Sequence, residues 1–281
     1  MQIQQFQIVS DDQVIAGIDV LETNARNQNE LLNRIINLVQ AAEDDPDFIR
    51  AAVHKSLPFY LQPLFFVPGQ IGWTSGYIAI YSQWRANGHR RSFAGTEKGQ
   101  EILSRAAELS DDANAMLEQP AANFYTPTLL DATGDLCLNA EPCTEGLNVA
   151  PILYRDNRIA QFINVFEVLP GLQQTLLEET YKIMPVARQH PGYLRTALHG
   201  SLDGLKVANY GQYRTAGQIR AMYFYPETAL RFFKIALKQL LPPMTFLGVP
   251  LCIGGKCLGK PPKLRVYTIE YMAQGNHAEN L

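Results

Sequence analysis

The chain contains one segment twice, and this repeat limits its possible folds more than any other feature. Residues 18–56 align without a gap with residues 163–201, and 12 of the 39 positions are identical. The matched positions include His54 with His199. A repeat of this length indicates two copies of one structural unit, fused in a single chain.

Each copy has the pattern of a strand, a helix, two strands, a helix and a final strand. The segments "GYIAIYSQW" and "LKVANYGQY" alternate as half-buried strands do. The segments "NQNELLNRIINLVQAAED" and "LQQTLLEETYKIMPVARQ" carry apolar residues at helical spacing. This order predicts an α+β fold of two fused ferredoxin-like (βαββαβ) repeats, whose bare sheet faces pack against each other.

The composition shifts along the chain suggest where each repeat begins and ends. We expect the first repeat at 1–131, a linker at 132–157 and the second repeat at 158–281. The first repeat has an aromatic and Pro-rich insertion at about 57–73, which is either a packing segment or a substrate lid. The second has a Cys-, Gly- and Pro-rich insertion at about 242–262.

The overall composition argues against several classes of protein. The 281 residues carry a net charge of −3 without long Lys/Arg runs, which disfavours nucleic-acid binding. The apolar runs are too short to cross a membrane, and the first residues lack a signal-peptide pattern, so we expect a cytoplasmic protein. The spacing of the four cysteines leaves free thiols, a disulfide and a zinc site all open; these residues are Cys137, Cys143, Cys252 and Cys257.

Polar and aromatic side chains crowd one strand pair of the second repeat. Asn209 falls on the side of its strand that faces the helices, where an amide is costly unless it bonds the backbone or a ligand. Tyr213 continues that side and is either core or a pocket wall. His199 ends the preceding strand, where a histidine is either structural or a proton acceptor.

The same stretch resembles a known family. "HGSLDG" followed by "NYGQY" is similar to the antibiotic biosynthesis monooxygenase family, whose quinone-forming members have N-Y-x-Q-W after a His-x-S-x-D-G turn. The resemblance covers nearly all of the second half and, more weakly, the first. It implies an intramolecular dimeric α/β barrel. It also implies a cofactor-independent monooxygenase that oxidises a phenolic or polycyclic aromatic secondary metabolite, with O2 as co-substrate and neither metal nor flavin.

The resemblance also implies roles for individual residues. Asn209 would hold an oxyanion or position O2, Tyr213 would be a polar pocket wall in place of the family's Trp, and His199 would be a proton relay at the pocket mouth. It further implies a set of substrate-binding residues, namely Tyr210, Asn164, Arg231 and Trp84.

The two repeats depart from the family pattern in different ways. The first keeps Trp84 but has Ile80 in place of the asparagine, whereas the second keeps Asn209 but has Tyr213 for the Trp. Either the second half is the working site, or neither half retains the activity. The alternatives are a cofactor-free cyclase or isomerase of a polyketide-like substrate and a non-catalytic binding module. The helix after Tyr213 has no histidine, which disfavours the haem-degrading branch of the superfamily. The pseudo-dimer within one chain also permits a homodimer.

Overall fold

The structure is a computed structural model. It describes residues 5–8, 13–58, 75–86, 92–119, 123–132, 146–147, 152–155, 159–168, 170–182, 184–224, 226, 251–253, 256–258 and 265–277.

The first half contributes four long strands and three helices, preceded by one short strand. In chain order they are β1 (Gln5–Gln7), β2 (Val14–Asn24), α1 (Gln28–Ala42), β3 (Phe48–Ser56), β4 (Ser75–Arg85), α2 (Glu97–Ala107), α3 (Asp111–Glu118) and β5 (Phe124–Ala132). A short 3-10 helix, Phe93–Gly95, precedes α2. The side chain of Thr96 then caps α2 by accepting a hydrogen bond from the backbone N–H of Gly99.

The second half repeats the strand order with shorter helices, two of which follow its first main strand. Its elements are β8 (Ala160–Glu167), α4 (Gln173–Tyr181), α5 (Met184–Arg188), β9 (Tyr193–Ser201), β10 (Lys206–Tyr213), α6 (Ala216–Phe224) and β13 (Arg265–Gln274). Four short strands lie between these main elements, namely β6 (Gly146–Leu147), β7 (Ile152–Tyr154), β11 (Leu251–Ile253) and β12 (Lys256–Leu258).

Eight strands close into a barrel. Their order is β2-β4-β3-β13-β8-β10-β9-β5, every pairing is antiparallel, and β5 returns to pair with β2. The final strand of each half pairs with the other half, β5 with β9 and β13 with β3. The predicted fold class is confirmed, and the two sheets also join at their edges.

The alternation of side chains along the strands separates the barrel interior from the helix-facing sides. On β4, Ala79 and Tyr81 point into the interior, whereas Ile80 and Trp84 pack against the helices of the first half. Ile8, which follows β1, and Leu153, on β7, also belong to the interior cluster. Each half therefore has its own helix-facing core, and the two halves share one interior.

The repeat is also visible in individual contacts. Gln28 Nε2 donates to Ser56 Oγ at 2.9 Å, and Gln173 Nε2 donates to Ser201 Oγ at 3.2 Å. The two glutamines occupy matched positions of the 39-residue alignment. Each ties the start of its helix to the end of the following strand in the same way.

Several sequence predictions fall largely outside the described residues. These include most of the two insertions and the cysteines Cys137 and Cys143. The backbone pairs Cys252 with Cys257 across the β11–β12 ladder. The predicted boundaries of the repeats and of the linker stay predictions, as does a homodimer.

Candidate active site

Two asparagines face each other on the helix-facing side of the second half. Asn209 on β10 is directly opposite Asn164 on β8, which places their Cβ atoms about 5 Å apart. Asn164 is 3% exposed and Asn209 is half-buried. Within the described part of the chain, neither Oδ1 atom has a hydrogen-bond partner. A buried amide oxygen left in this state costs about 1–3 kcal/mol, so a ligand that donates a hydrogen bond here gains that energy.

This asparagine pair lies between two separate apolar clusters. On one side, β9 and β10 pack on α4 through Leu176, Leu177, Leu198 and Val207. On the other side, β8, β9 and β10 pack on α5 and α6; this cluster includes Phe162, Ala187, Tyr193, Tyr213, Ile219 and Met222. The pair therefore interrupts what would otherwise be a continuous core.

The residues beside the pair give the site its shape. Gly211 follows Asn209 on the same side of β10 and presents no side chain there. Tyr213 is 3% exposed and donates its hydroxyl to Met222 Sδ on α6. Burial raises the pKa of Tyr213, so the phenol stays protonated at neutral pH. Tyr213 thus lies in the apolar cluster beside the pair, and its expected role as a pocket wall stays a prediction.

His199 and Tyr210 lie on the opposite side of the sheet from the asparagine pair. Both point into the barrel interior, at 0% and 1% exposure. The sequence predicted His199 at the mouth of a pocket beside Asn209. Its side chain instead points into the barrel interior, because strand alternation turns His199 away from Asn209. Tyr210 Oη lies 2.7 Å from Nε2 of His54, which places Tyr210 in a contact between the two halves.

The barrel interior holds two matched histidine–tyrosine contacts, one from each histidine. His54 Nδ1 donates to the Ala79 carbonyl, so its Nε2 accepts the hydroxyl of Tyr210 from the other half. The matched contact joins His199 Nε2 and Tyr81 Oη at 3.2 Å. Burial lowers the pKa of each histidine to about 4, so both are neutral at pH 7. Because each histidine contacts a tyrosine of the other half, we infer that the two histidines help to hold the halves together.

Trp84 lies in the first half, away from the asparagine pair. It is 1% exposed and its Nε1 donates to Ser82 Oγ at 2.9 Å. Phe48 and Phe93 stack edge-on against its ring, with centroids 5.1 Å away in both cases. Asn209 and Trp84 therefore do not share a site. Arg231 lies outside the described residues.

The sequence reasoning missed two titratable residues near the helix-facing sides. His190, just before β9, lies with its ring centroid 6.5 Å from that of Tyr213, and burial lowers its pKa. Asp19 is buried on β2 at the repeat position of Asn164. The gapless repeat alignment was a usable signal for Asp19, because it sets Asp19 against Asn164. His190 has no comparable signal, since Asp45 stands at its repeat position.

Two other observations concern metals and membranes. Among the described residues, no three His, Cys, Asp or Glu side chains come together as a metal site would require. Over the same residues, no helix is both long and apolar enough to cross a bilayer.

The sequence comparisons give one relative. No family model matches the chain. The chain is 34% identical over 71 residues to tetracenomycin-F1 monooxygenase from Streptomyces glaucescens, a match that covers 25% of this chain and 63% of the relative. The chain thus spans less than two thirds of the length of this curated relative.

The structural comparisons give the same fold over nearly the whole chain. An anthrone oxidase-like protein matches with a TM-score of 0.61 at 14% identity, covering 97% of this chain and 98% of that one. A monooxygenase candidate from Fusobacterium nucleatum subsp. nucleatum matches with a TM-score of 0.52 at 6% identity, covering 93% and 94%. The chain therefore has the fold of these two proteins over nearly its whole length, and a quarter of its sequence is similar to part of the tetracenomycin-F1 monooxygenase.

Proposed function

We propose that the chain is a monooxygenase that oxidises a phenolic or polycyclic aromatic compound with O2, using the asparagine pair of its second half. The observation that carries this proposal is the pair itself. Asn164 and Asn209 are opposite each other, lie between two apolar clusters and have free amide oxygens. A flat aromatic ligand with a hydroxyl group matches such a site, because the clusters contact its rings and the amides bond its oxygen.

The two amides suit both forms of the substrate. A carboxamide carries an acceptor oxygen and two donor hydrogens, so the pair can accept from a hydroxyl and donate to an oxyanion. Donors placed where negative charge develops typically contribute about 10²–10³-fold in rate. The apolar clusters on both sides exclude water and thereby strengthen these hydrogen bonds.

The proposed chemistry balances without a metal or an organic cofactor. The substrate loses a proton, and its anion gives one electron to O2, which yields a substrate radical and superoxide. These combine through a new C–O bond to a peroxide, and loss of water leaves a carbonyl, so that a CH2 group and O2 become C=O and H2O. His190 is the proton acceptor that we assign on this side of the sheet, because its ring lies beside that of Tyr213 and burial lowers its pKa.

The experiment uses chelator-treated protein and an anthrone, which tautomerises to a phenol. We expect quinone absorbance to rise together with O2 uptake, above the buffer rate. Asn209→Ala should lower the enzyme-dependent rate about 10²–10³-fold. Asn33→Ala is the matched control, because Asn33 is exposed on α1 and its replacement should leave the rate unchanged.

Three outcomes would contradict the proposal. The first is a rate no greater than that of the buffer. The second is an unchanged rate in Asn209→Ala, which would remove the asparagine pair from the chemistry. The third is product formation in the absence of O2, which would indicate the cyclase or isomerase alternative.

A further inference from the structure

We propose that Cys252 and Cys257 form a dithiol site that closes to a disulfide by exchange with a small anionic disulfide such as oxidised glutathione. The two residues lie on the short strands β11 and β12, which come between α6 and β13 in the chain. This site is separate from the asparagine pair and does not depend on the oxidation proposed for it.

The register of the hairpin places the two cysteines directly opposite each other. Ile253 pairs with Lys256, and Cys252 pairs with Cys257 in the next position of the ladder. Two glycines separate the strands in the sequence, and two-residue hairpin turns favour Gly-Gly. Directly opposite residues of antiparallel strands share one face of the ladder, with Cα atoms about 4.5–5.5 Å apart. A disulfide requires a Cα separation of about 4.4–6.8 Å, so this register permits one without movement of the backbone.

The charge of the surrounding sequence favours exchange at this pair. Residues 228–269 contain seven Lys or Arg residues and neither Asp nor Glu, although the whole chain has a net charge of −3. Lys256 directly precedes Cys257 in the sequence. Nearby cations favour the thiolate form of a cysteine, which is the nucleophile in disulfide exchange. They also attract an anionic reactant, and added salt weakens this attraction.

The other two cysteines of the chain lie in a sequence of opposite charge. Cys137 and Cys143 are also close to each other in the sequence, but residues 131–145 contain four Asp or Glu residues and neither Lys nor Arg. An acidic surrounding disfavours the thiolate and repels an anionic disulfide. The pair in the basic segment is therefore the one that we assign to exchange, and the acidic pair is its control within the same chain.

The exchange takes place in two steps. The thiolate of one cysteine attacks a sulfur of the small disulfide, which forms a mixed disulfide and releases a thiolate that takes up the proton. The second cysteine, as its thiolate, then attacks the protein sulfur of the mixed disulfide and releases the second thiolate, which is protonated in turn. In total, the small disulfide is reduced to two thiols, and the two cysteines lose their hydrogens and form the S–S bond.

The test follows all four cysteines of the full native chain at once. The reduced chain, freed of reductant, is incubated at pH 7.5 with oxidised glutathione, and excess N-ethylmaleimide then stops the reaction and alkylates the free thiols. Trypsin cleaves after Lys256, so a disulfide between Cys252 and Cys257 links peptide 239–256 to peptide 257–263 in the mass spectrum. We expect these linked peptides to form about tenfold faster than any oxidised form of Cys137 or Cys143. Dithiothreitol should separate them again.

Salt and two variants separate the effect of charge from that of register. An ionic strength of about 1 M, where the Debye length is about 3 Å, should slow the exchange with oxidised glutathione several-fold. Bis(hydroxyethyl) disulfide, which is uncharged, should react at the same rate with and without the salt. Cys257→Ser should accumulate one glutathione on Cys252, because the second step is removed. Cys143→Ser is the matched control and should leave the linked peptides unchanged.

Three outcomes would overturn the site. They are glutathione that stays on Cys252 of the native chain without linked peptides, equal rates of oxidation at the two cysteine pairs, and an exchange with oxidised glutathione that salt does not slow. All three are read from the native chain, so they decide the matter even if a variant does not fold. Asn209→Ala should slow anthrone oxidation and leave the linked peptides unchanged, so that the two proposals fail or succeed separately.

Discussion

The barrel interior and the helix-facing sides have changed to different extents since the duplication. In the interior, His54 matches His199 and Tyr81 matches Tyr210, and each histidine bonds the tyrosine of the other half. A substitution there removes a partner from both halves at once. Each helix-facing core is built mainly from its own half, with Tyr271 and Ala273 joining the first core and Leu57 packing against the second, and is therefore freer to change alone.

The helix-facing sides of the two halves differ in their polar residues and in how their apolar clusters are divided. The first half has Asp19 opposite Ile80, where the second half has Asn164 opposite Asn209. The first half forms one continuous cluster that includes Trp84, whereas the second is divided in two around its amides. The duplicated interior joins the two halves, whereas the helix-facing sides differ in the polar residues that they carry.

The largest expected effect comes from making the second half resemble the first. Asn209→Ile introduces an isoleucine, the residue that the first half has at the matched position, Ile80, and removes the amide. We expect anthrone oxidation to fall about 10²–10³-fold. We also expect the free energy of unfolding to rise, because an unsatisfied polar group is replaced by an apolar one. Initial rates and urea denaturation measure the two quantities.

The control for this substitution is Ile80→Val in the first half. It should cost about 0.5–1.5 kcal/mol of stability and leave the oxidation rate unchanged. A comparable loss of rate in both variants would mean that the two halves form one functional unit. An unaffected rate in Asn209→Ile would place the chemistry outside the second half.

The next effect tests the symmetry of the barrel interior. His54→Ala and His199→Ala each remove the histidine from a tyrosine hydroxyl and open a cavity, so we expect each to cost about 2–4 kcal/mol. His277→Ala, at an exposed position, should change stability by less than about 0.5 kcal/mol. Urea denaturation at pH 7.5 measures all three. A large cost in only one half would contradict an interior maintained by both.

The same two histidines also predict acid sensitivity. Their pKa values in the folded protein are about 4, below the ordinary value of 6.5. Unfolded chains therefore bind more protons between these values, and stability falls as the pH drops from 6.5 to 4, by on the order of 3 kcal/mol per histidine. A double variant that lacks both should show a flatter profile in this range.

Asp19→Asn makes the first half resemble the second, and its effect on stability should grow as the pH rises. The pKa of Asp19 is raised to about 6 in the folded state, above 3.8, so ionisation of its buried carboxyl opposes folding above pH 6. The variant should therefore be more stable than the native chain at pH 8, by up to about 3 kcal/mol. The difference should vanish near pH 4. A loss of stability at pH 8 would mean that the Asn123 and Lys206 contacts outweigh burial.

The fold was predictable from the sequence because the repeat and the strand alternation are both local patterns. Two copies of one βαββαβ order predict two sheets that cover each other, and alternation placed Asn209 and Tyr213 on the helix-facing side. Two features were not local. One is the exchange of final strands that closes the barrel. The other is the contact of His199 with Tyr81, which are 118 residues apart in the sequence. Both depend on how the two halves meet.

The smallest effect distinguishes the two halves of the interior network. Tyr210→Phe and Tyr81→Phe each remove one hydroxyl from its contact with a neutral imidazole, at a cost of about 1–2 kcal/mol. Tyr210 Oη lies 2.7 Å from His54, whereas Tyr81 Oη lies 3.2 Å from His199, so Tyr210→Phe should be the more costly. A double-mutant cycle of His54→Ala with Tyr210→Phe should give a coupling energy of about 1 kcal/mol, against near zero for His54→Ala with Tyr81→Phe. Equal coupling in both cycles would mean that the four side chains act as one unit rather than as two crossed pairs.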